Sequence, residues 1–358
     1  MNNQTIKLGI IGCGDVATGK QWHIPSLKAL HDPDAELLAL ADKIPGLARK
    51  TADRFSVPLV YEDYHRMLEN PDINAVSVCT RTNVHKQIAI DVLKAGKHVF
   101  VEKPITSTYE ELVELSEYAQ KCGKVFVSGS NGLYLPQMKY IKNIIDAGTM
   151  GEVYLINVER VYGRPYNFQP VPPPKARDGV VTHNASHSVE WVLYFLGDPS
   201  GKFPRAVSVT AKGFGITDNI SRPFEKRTED DSACIAQIVF DNGAVFQYRG
   251  MVKAPVRSSY KVAITGDKMS IEYDVDKCYK KEADDCVTIF RHSELMGMEE
   301  SHPVIKCEQG HGALYRYFFS CIRENRLEVS RCERGLETMR ILDAMLESME
   351  KGGRQILL

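Results

Sequence analysis

Over the first third of the chain, short apolar runs alternate with stretches in which apolar residues recur every three or four positions. Lys7–Ile11, Glu36–Ala41, Ala75–Cys79, His98–Val101 and Val125–Ser128 are brief, aliphatic and bounded by Gly, Asp or charged residues, which predicts buried strands. Between them, Trp22–Leu30, Gly46–Phe55, Tyr64–Leu68, His85–Ala95 and Thr108–Cys122 carry helical spacing. Gly96 and Gly123 stand where helix C-caps fall. Strands alternating with helices predict parallel βαβ units, hence a doubly wound open sheet that takes ligands at the carboxyl ends of its strands.

The pattern changes after about Gly148. Glu152–Tyr162, Ala206–Lys212, Ala233–Phe240, Ala244–Met251, Ser259–Thr265 and Met269–Asp274 read as strands, joined by turns such as Asp241-Asn242-Gly243. That is hairpin chemistry and predicts an antiparallel sheet. Pro170–Lys175 holds four prolines and is expected as a rigid surface loop. Asp178–Leu196 regains helical spacing, and Cys332–Lys351 reads as a last amphipathic helix ending at Gly352-Gly353. The expected fold class is α/β. A doubly wound N-terminal domain over residues 1–130 is followed by a C-terminal α+β domain over residues 131–358, with the final helix (332–351) expected to pack back on the first domain.

Composition narrows the choices. The 358 residues suit two domains at roughly 150 residues each. With 45 Lys+Arg against 46 Asp+Glu the net charge is −1, which gives no electrostatic footprint for nucleic acid or an anionic membrane, so neither partner is expected. The opening residues have no basic n-region and no apolar h-region, and no apolar run approaches the roughly 20 residues of a membrane span; a cytoplasmic protein is expected. Nine scattered cysteines without a CxxC pair argue for reduced thiols and against a four-cysteine zinc site.

Gly12-Cys13-Gly14-Asp15-Val16-Ala17 follows the first strand and opens a helical region, the context of a dinucleotide fingerprint. Gly12 allows the tight turn, Gly14 lets the backbone approach a pyrophosphate, and Ala17 permits close helix–strand packing. The second strand ends at Asp42, whose carboxylate can accept both ribose hydroxyls of NAD and would repel the 2′-phosphate of NADP. NAD is therefore the expected cofactor, although Lys43 next door would tolerate a 2′-phosphate.

With these segments, Thr80…His85, Ala95-Gly96-Lys97-His98-Val99…Glu102-Lys103-Pro104 and the helix bearing His187, the sequence resembles the Gfo/Idh/MocA oxidoreductases over nearly its whole length. The resemblance implies a Rossmann domain and a C-terminal domain with a large, mostly antiparallel open sheet. It also implies NAD(P)-dependent chemistry on sugars or cyclic polyols, and homodimers or homotetramers built through that sheet. Lys103 matches the lysine beside the nicotinamide and the reacting hydroxyl, and His187 the usual proton acceptor. Thr80, Arg81, His85 and Glu102 fall in the segments around the cofactor, and Asn131 matches a position touching cofactor or substrate. Three departures stand out: His183 where an aspartate is usual, Arg81 where proline is common, and Leu133 where many relatives carry arginine.

The residues themselves allow this chemistry. Oxidising a secondary alcohol needs a base for the hydroxyl proton and a carbon held against the nicotinamide. An ammonium at Lys103 beside a cationic ring would have its pKa lowered, which suits a proton relay; the plainer alternative is a surface lysine closing a strand. His183, His187, Glu190 and Tyr194 fall at steps of four, three and four and share one face of a helix. His187 can take the proton while Glu190 or a carbonyl fixes its tautomer; alternatively it is a hydrogen-bonded core histidine. The same HxxxHxxE face raises a metal site, but HExxH is absent and no metal is expected. Tyr162, Arg164 and Lys175, with Arg160 and Arg177 nearby, are candidate substrate contacts or solvated loop charges. The leading expectation is an NAD-dependent dehydrogenase of a ring hydroxyl. An NAD-dependent glycosidase using transient oxidation is the alternative, and a non-catalytic NAD sensor the third reading.

Overall fold

The structure, a computed structural model, describes residues 5–20, 22–163, 180–214, 233–254, 256–280, 284–293, 297–307, 310–327 and 329–358. Among these no helix is long and apolar enough to cross a membrane. The chain divides into two compact units, residues 1–134 with 308–336, and residues 135–307 with 337–358.

In the first unit the predicted strands form one parallel sheet: β1 (Ile6–Ile11), β2 (Ala35–Ala41), β3 (Leu59–Tyr61), β4 (Ala75–Val78), β5 (His98–Val101) and β6 (Phe126–Ser128), in spatial order β3-β2-β1-β4-β5-β6. This is the doubly wound order of dinucleotide-binding sheets. Ile6, Leu8 and Ile10 are fully buried, and every residue of β4 is buried, as strands covered on both faces require. Helices occupy the expected segments, and Gly96 and Gly123 cap two of them at φ +71° and +62°. The unexpected strand is β3, three half-buried residues on the sheet edge, too short to show a period. The helix Gly310–Glu324 also belongs to this unit.

The second unit is built on a nine-stranded sheet. It comprises β7 (Val153–Gly163), β8 (Ala206–Phe214), β9 (Ala233–Phe240), β10 (Val245–Ala254), β11 (Ser259–Gly266), β12 (Met269–Asp274), β13 (Val287–Ser293), β14 (Gly297–Ser301) and β15 (Ile356–Leu357). The order is β14-β13-β12-β11-β7-β10-β9-β8-β15, antiparallel throughout except for the β7–β10 pair. Alternation sorts the faces: Ala236, Tyr248, Val158, Val262 and Tyr273 lie in register and are buried, whereas Lys212, Ile235, Arg249, Glu159 and Lys261 form the neighbouring outward row.

The last helix runs Val329–Glu350 and straddles the division between the units. Its stretch in the second unit is fastened to β8 by Glu337, a carboxylate 1% exposed. Glu337 accepts bonds from the Ala206 amide at 2.9 Å, Arg205 at 3.0 Å and Arg340 at 2.7 Å. These partners hold its carboxyl below the usual range despite burial, which works the other way. Strands β13 to β15 and the helices Pro136–Asp146, Val275–Lys280 and Gly310–Glu324 were not expected from the hydrophobic pattern.

Candidate active site

The turn after β1 is shaped by one glycine and left open by the next. Gly12 has φ +96°, and a Cβ there would lie 2.6 Å from the Cys79 carbonyl oxygen, so no other residue fits. A Cβ on Gly14 would meet nothing within 4 Å, so the backbone there faces open space. Ala17 is fully buried, as close helix packing demands, while Asp15 is exposed and Val16 half-buried. Asp42 sits at the end of β2 and grips the same turn: Oδ2 accepts the Cys13 amide at 2.8 Å and Oδ1 the Ile44 amide at 2.9 Å. Each carboxylate oxygen keeps acceptor capacity for a further donor. Burial, then the Asp42 charge, pushes the Cys13 thiol up to about 12, so it stays a thiol.

At the carboxyl ends of β4 and β5 the expected residues divide into exposed and buried. Arg81 is exposed at the start of the 3-10 turn Thr82–Val84. The Thr80 hydroxyl is buried with no hydrogen-bond partner among the described residues. An open glycine backbone, an acid at the β2 end and an unused buried hydroxyl at these strand ends together fit a dinucleotide.

His85 is 1% exposed and lies between two main-chain carbonyls, Nδ1 at 2.8 Å from Pro104 O and Nε2 at 3.0 Å from Thr80 O. The geometry would suit two N–H donors, but burial pushes the imidazole pKa down, with the two carbonyls opposing it. Burial is the largest effect and outweighs the carbonyls and the Glu102 charge, so we assign the neutral form. His85 ties the β4 end to the β5 end in the lining of the candidate site.

Beneath Lys103 lies a buried network the sequence did not reveal. Glu102 is 6% exposed; its Oε1 accepts from His23 Nε2 at 2.9 Å and faces His311 Nε2 at 3.6 Å, and its Oε2 accepts the Lys103 amide at 2.8 Å. Asn131 Nδ2 lies 3.0 Å from His311 Nδ1, which assigns the His311 proton to Nε2, toward the carboxylate. His23 Nδ1 meets the Tyr315 hydroxyl at 2.8 Å, and that hydroxyl meets Ser77 Oγ at 3.0 Å. Trp22 stacks on His311 with ring centroids 5.7 Å apart. Burial opposes ionisation of Glu102, but the two imidazoles reverse it and hold the carboxyl well below its usual range. Burial in turn pushes His23 down, so the pair is a neutral imidazole bonded to a carboxylate. Lys103 itself is half-exposed.

Three expected residues are thus joined, Lys103 to Glu102 directly and Asn131 to Glu102 through His311. His23 and His311 have no local pattern linking them to Glu102, because the three come from distant parts of the chain. The nearest signal is small residues flanking His311, in Gly310-His311-Gly312; a Cβ at Gly310 would lie 3.0 Å from the Asn131 carbonyl oxygen.

The second unit carries the other candidates. The expected helix over 178–196 is observed as a π turn, Val181–Ala185, followed by the α-helix Ser186–Leu196; residues 178 and 179 lie outside the described residues. Wide turns of this kind recur at functional sites. His183 is half-buried within the π turn, and His187 and Glu190, at 8% and 9% exposure, lie in the helix that follows. Arg160 anchors this turn by donating to Asn184 O at 3.1 Å. It also donates to the Tyr162 hydroxyl at 2.9 Å and lies over the Tyr260 ring at 4.7 Å. Trp191 stacks on the same Tyr260, with centroids 5.2 Å apart. Tyr162 thus accepts from Arg160, and Arg160 bonds to the turn. Arg164, Tyr166, Lys175 and Arg177 lie outside the described residues, as does Pro170–Lys175.

A doubly wound parallel sheet with a glycine turn and an acid after its second strand, followed by a mostly antiparallel nine-stranded unit, defines a two-domain nucleotide-dependent oxidoreductase. Residues 6–130 match the NAD-binding Rossmann domain of the Gfo/Idh/MocA oxidoreductases, and residues 142–356 match that family's C-terminal alpha/beta domain. The chain belongs to the Gfo/Idh/MocA oxidoreductase family.

It is similar to a myo-inositol 2-dehydrogenase of Thermotoga maritima, 25% identical over 319 residues that cover 88% of this chain and 82% of that protein. It is also similar to the scyllo-inositol 2-dehydrogenase (NAD(+)) of Bacillus subtilis, 28% identical over 267 residues, 74% of this chain and 73% of that one. Among solved structures, a levoglucosan dehydrogenase in complex with NADH and levoglucosan superposes with a TM-score of 0.81 at 22% identity, covering 99% of both chains. A 3-ketoreductase from Actinomadura kijaniata, in complex with TDP-benzene and NADP, gives 0.76 at 20% identity and 98% coverage of each. At these identities the structural likeness speaks for the fold.

Proposed function

We propose that this chain is an NAD-dependent dehydrogenase acting on a ring secondary hydroxyl of a sugar, sugar derivative or cyclic polyol. The observation that carries the proposal is the buried Glu102 network, which fixes the backbone of Lys103 at the carboxyl end of β5 inside a Gfo/Idh/MocA Rossmann unit. The relatives named for inositols support the substrate class. Those names describe net dehydrogenation, which favours the dehydrogenase over the glycosidase alternative.

When bound, the nicotinamide supplies the hydride acceptor or donor. The chain's residues do the rest. The Gly12–Ala17 turn holds the pyrophosphate and Asp42 the ribose hydroxyls; Thr80 contributes its unused hydroxyl to the cofactor. Lys103 and His187 handle the hydroxyl proton, His187 as acceptor and Lys103 as relay. His183 has two ring nitrogens where an aspartate is usual and can donate as well as accept to substrate hydroxyls. The acid at Asp42 supports NAD over NADP; both nucleotides occur with similar folds. We also infer that the outer face of the nine-stranded sheet pairs subunits into a homodimer or homotetramer.

The test is incubation with NAD and a panel of free sugars, polyols and glycosides, following reduced nicotinamide and released aglycone together. Stoichiometric reduced nicotinamide is expected with at least one free sugar or polyol. Lys103→Ala is expected to retain NAD binding and lose turnover by roughly 10²- to 10⁴-fold, the range of a general acid–base group. Aglycone release without net reduction, or near-wild-type turnover in the variant, would sink the reading.

A further inference from the structure

The second unit brings together three cysteines that stand far apart in sequence. Cys278 lies in the short helix Val275–Lys280, Cys286 immediately precedes β13, and Cys307 closes the segment after β14. Their sulfurs all lie within 4.8 Å of one another. Cys278 and Cys286 are 2% and 3% exposed, Cys307 is half-buried, and none is in a disulfide. Cys307 is held by bonds from main-chain amides as well as by contacts with the other two sulfurs: its amide donates to Asp284 Oδ1 at 3.1 Å, and the Ile305 amide to Asp284 O at 2.8 Å. Gln137, fully buried, donates from Nε2 to Ile305 O at 2.8 Å and to Cys307 Sγ at 3.3 Å, and its Oε1 has no partner among the described residues.

Three buried thiols can serve as small apolar side chains, and these three share weak S–H···S bonds. A metal gives a stronger reason for three sulfurs and an amide donor to converge. Zinc–sulfur bonds of about 2.3 Å in tetrahedral geometry set sulfurs about 3.8 Å apart, within easy contraction of the observed cluster. An amide N–H aimed at a sulfur is the outer support that a ligating thiolate uses, since it offsets charge without competing for the metal. Cys307 leaves a path from solvent, and an all-sulfur set selects soft ions over magnesium or calcium.

We propose that Cys278, Cys286 and Cys307 form a thiolate site for one zinc-class ion, with Gln137 as the amide donor to the Cys307 sulfur. On binding, each thiol loses its proton to solvent as its sulfur–metal bond forms, so three thiolates and a divalent ion leave one net negative charge. The Gln137 N–H faces that charge, and water takes the fourth position on the Cys307 side. The ion clamps the short helix, the start of β13 and the 302–307 segment to one another. This role is independent of the redox chemistry proposed above.

The test is titration of the chelator-treated full-length protein with Co²⁺. A sulfur-to-cobalt charge-transfer absorption is expected to saturate at one equivalent per chain and to be displaced by Zn²⁺. Cys307→Ser, at a half-exposed position and checked for fold by circular dichroism, is expected to lose that absorption, and Cys278→Ser likewise. Cys321→Ser, outside the cluster, is expected to keep it. Gln137→Leu is expected to weaken Co²⁺ binding by roughly 10- to 100-fold, and Zn²⁺ to raise the melting temperature of wild type but not of Cys307→Ser. Absence of a saturable band, or a band unchanged in Cys307→Ser, overturns the proposal. So does a thiol count on the denatured protein that falls short by two and is explained by a disulfide within this cluster.

Discussion

A buried carboxylate ionises only where donors replace the water it has lost. Glu102 meets that condition through His23, His311 and the Lys103 amide, and its charge in turn fixes which imidazole nitrogens carry protons. Burial holds His23 neutral in the folded chain, below the ordinary value of about 6.5 that it regains on unfolding. The unfolded chain therefore takes up a proton as pH falls through about 6.5 while the folded chain does not, so stability is full above that pH and declines below it. The slope is at most about 1.4 kcal/mol per pH unit for this histidine. Glu102, also depressed, adds a loss in the same direction below about pH 4.3. Urea midpoints from pH 8 to pH 5 should decline for wild type, and His23→Gln, a neutral side chain that can still donate, should flatten the decline. An unchanged slope in His23→Gln would show that this ring does not set the acid sensitivity. The candidate residues Lys103, Glu102 and Asn131 were legible in the sequence as motif positions. The histidines were not, because nothing local in a sequence distinguishes a core histidine from one bonded to a carboxylate 79 residues away, as His23 is to Glu102.

Elements explain what could be read and what could not. The strands from β1 to β6 showed through, except β3, because each carries a continuous apolar run buried on both faces. Strands β7 to β12 showed through because one face is inward, giving a period of two. Strand β14, with all five residues exposed, has no face to bury and so no pattern to find. The π turn at Val181–Ala185 escaped for another reason: it uses the same apolar spacing as an α-helix, and only its packing, with Arg160 bonded to Asn184 O, distinguishes it. The β1–β2 connection shows how an element sets a site. Asp42 is both the candidate ribose acceptor and the anchor of the glycine turn through the Cys13 amide. Asp42→Ala should therefore weaken NAD more than NADP, since the carboxylate that meets the 2′ position is gone, and should cost both nucleotides some affinity as the turn loosens. Isothermal titration with the two nucleotides separates the effects; equal losses would leave Asp42 with the anchoring role alone.

At the scale of the molecule, the nine-stranded sheet poses a problem of exposed surface. Its edges are protected: β14 carries Glu299 and Glu300 on a short exposed strand, and β15 at the other edge has only two residues. Charge and brevity are the usual defences against edge-to-edge pairing. The broad outer face is different. Val207, Phe214 and Ile235 stand there at 38%, 37% and 50% exposure among Thr210, Lys212, Gln237 and Arg249, a mixture of apolar and polar groups suited to a subunit interface. Pairing through the face satisfies these apolar groups, while pairing through the β14 edge meets like charges. Wild-type protein should thus have a dimeric or tetrameric mass by light scattering at micromolar concentration. Ile235→Asp, which sets a charge in the middle of the outward row opposite Lys212 and Arg249, should shift it toward the monomer. Met298→Asp, on β14 at 67% exposure, should leave the mass unchanged. A monomeric wild type, or dissociation caused by the β14 substitution and not by the Ile235 one, would move the interface off this face.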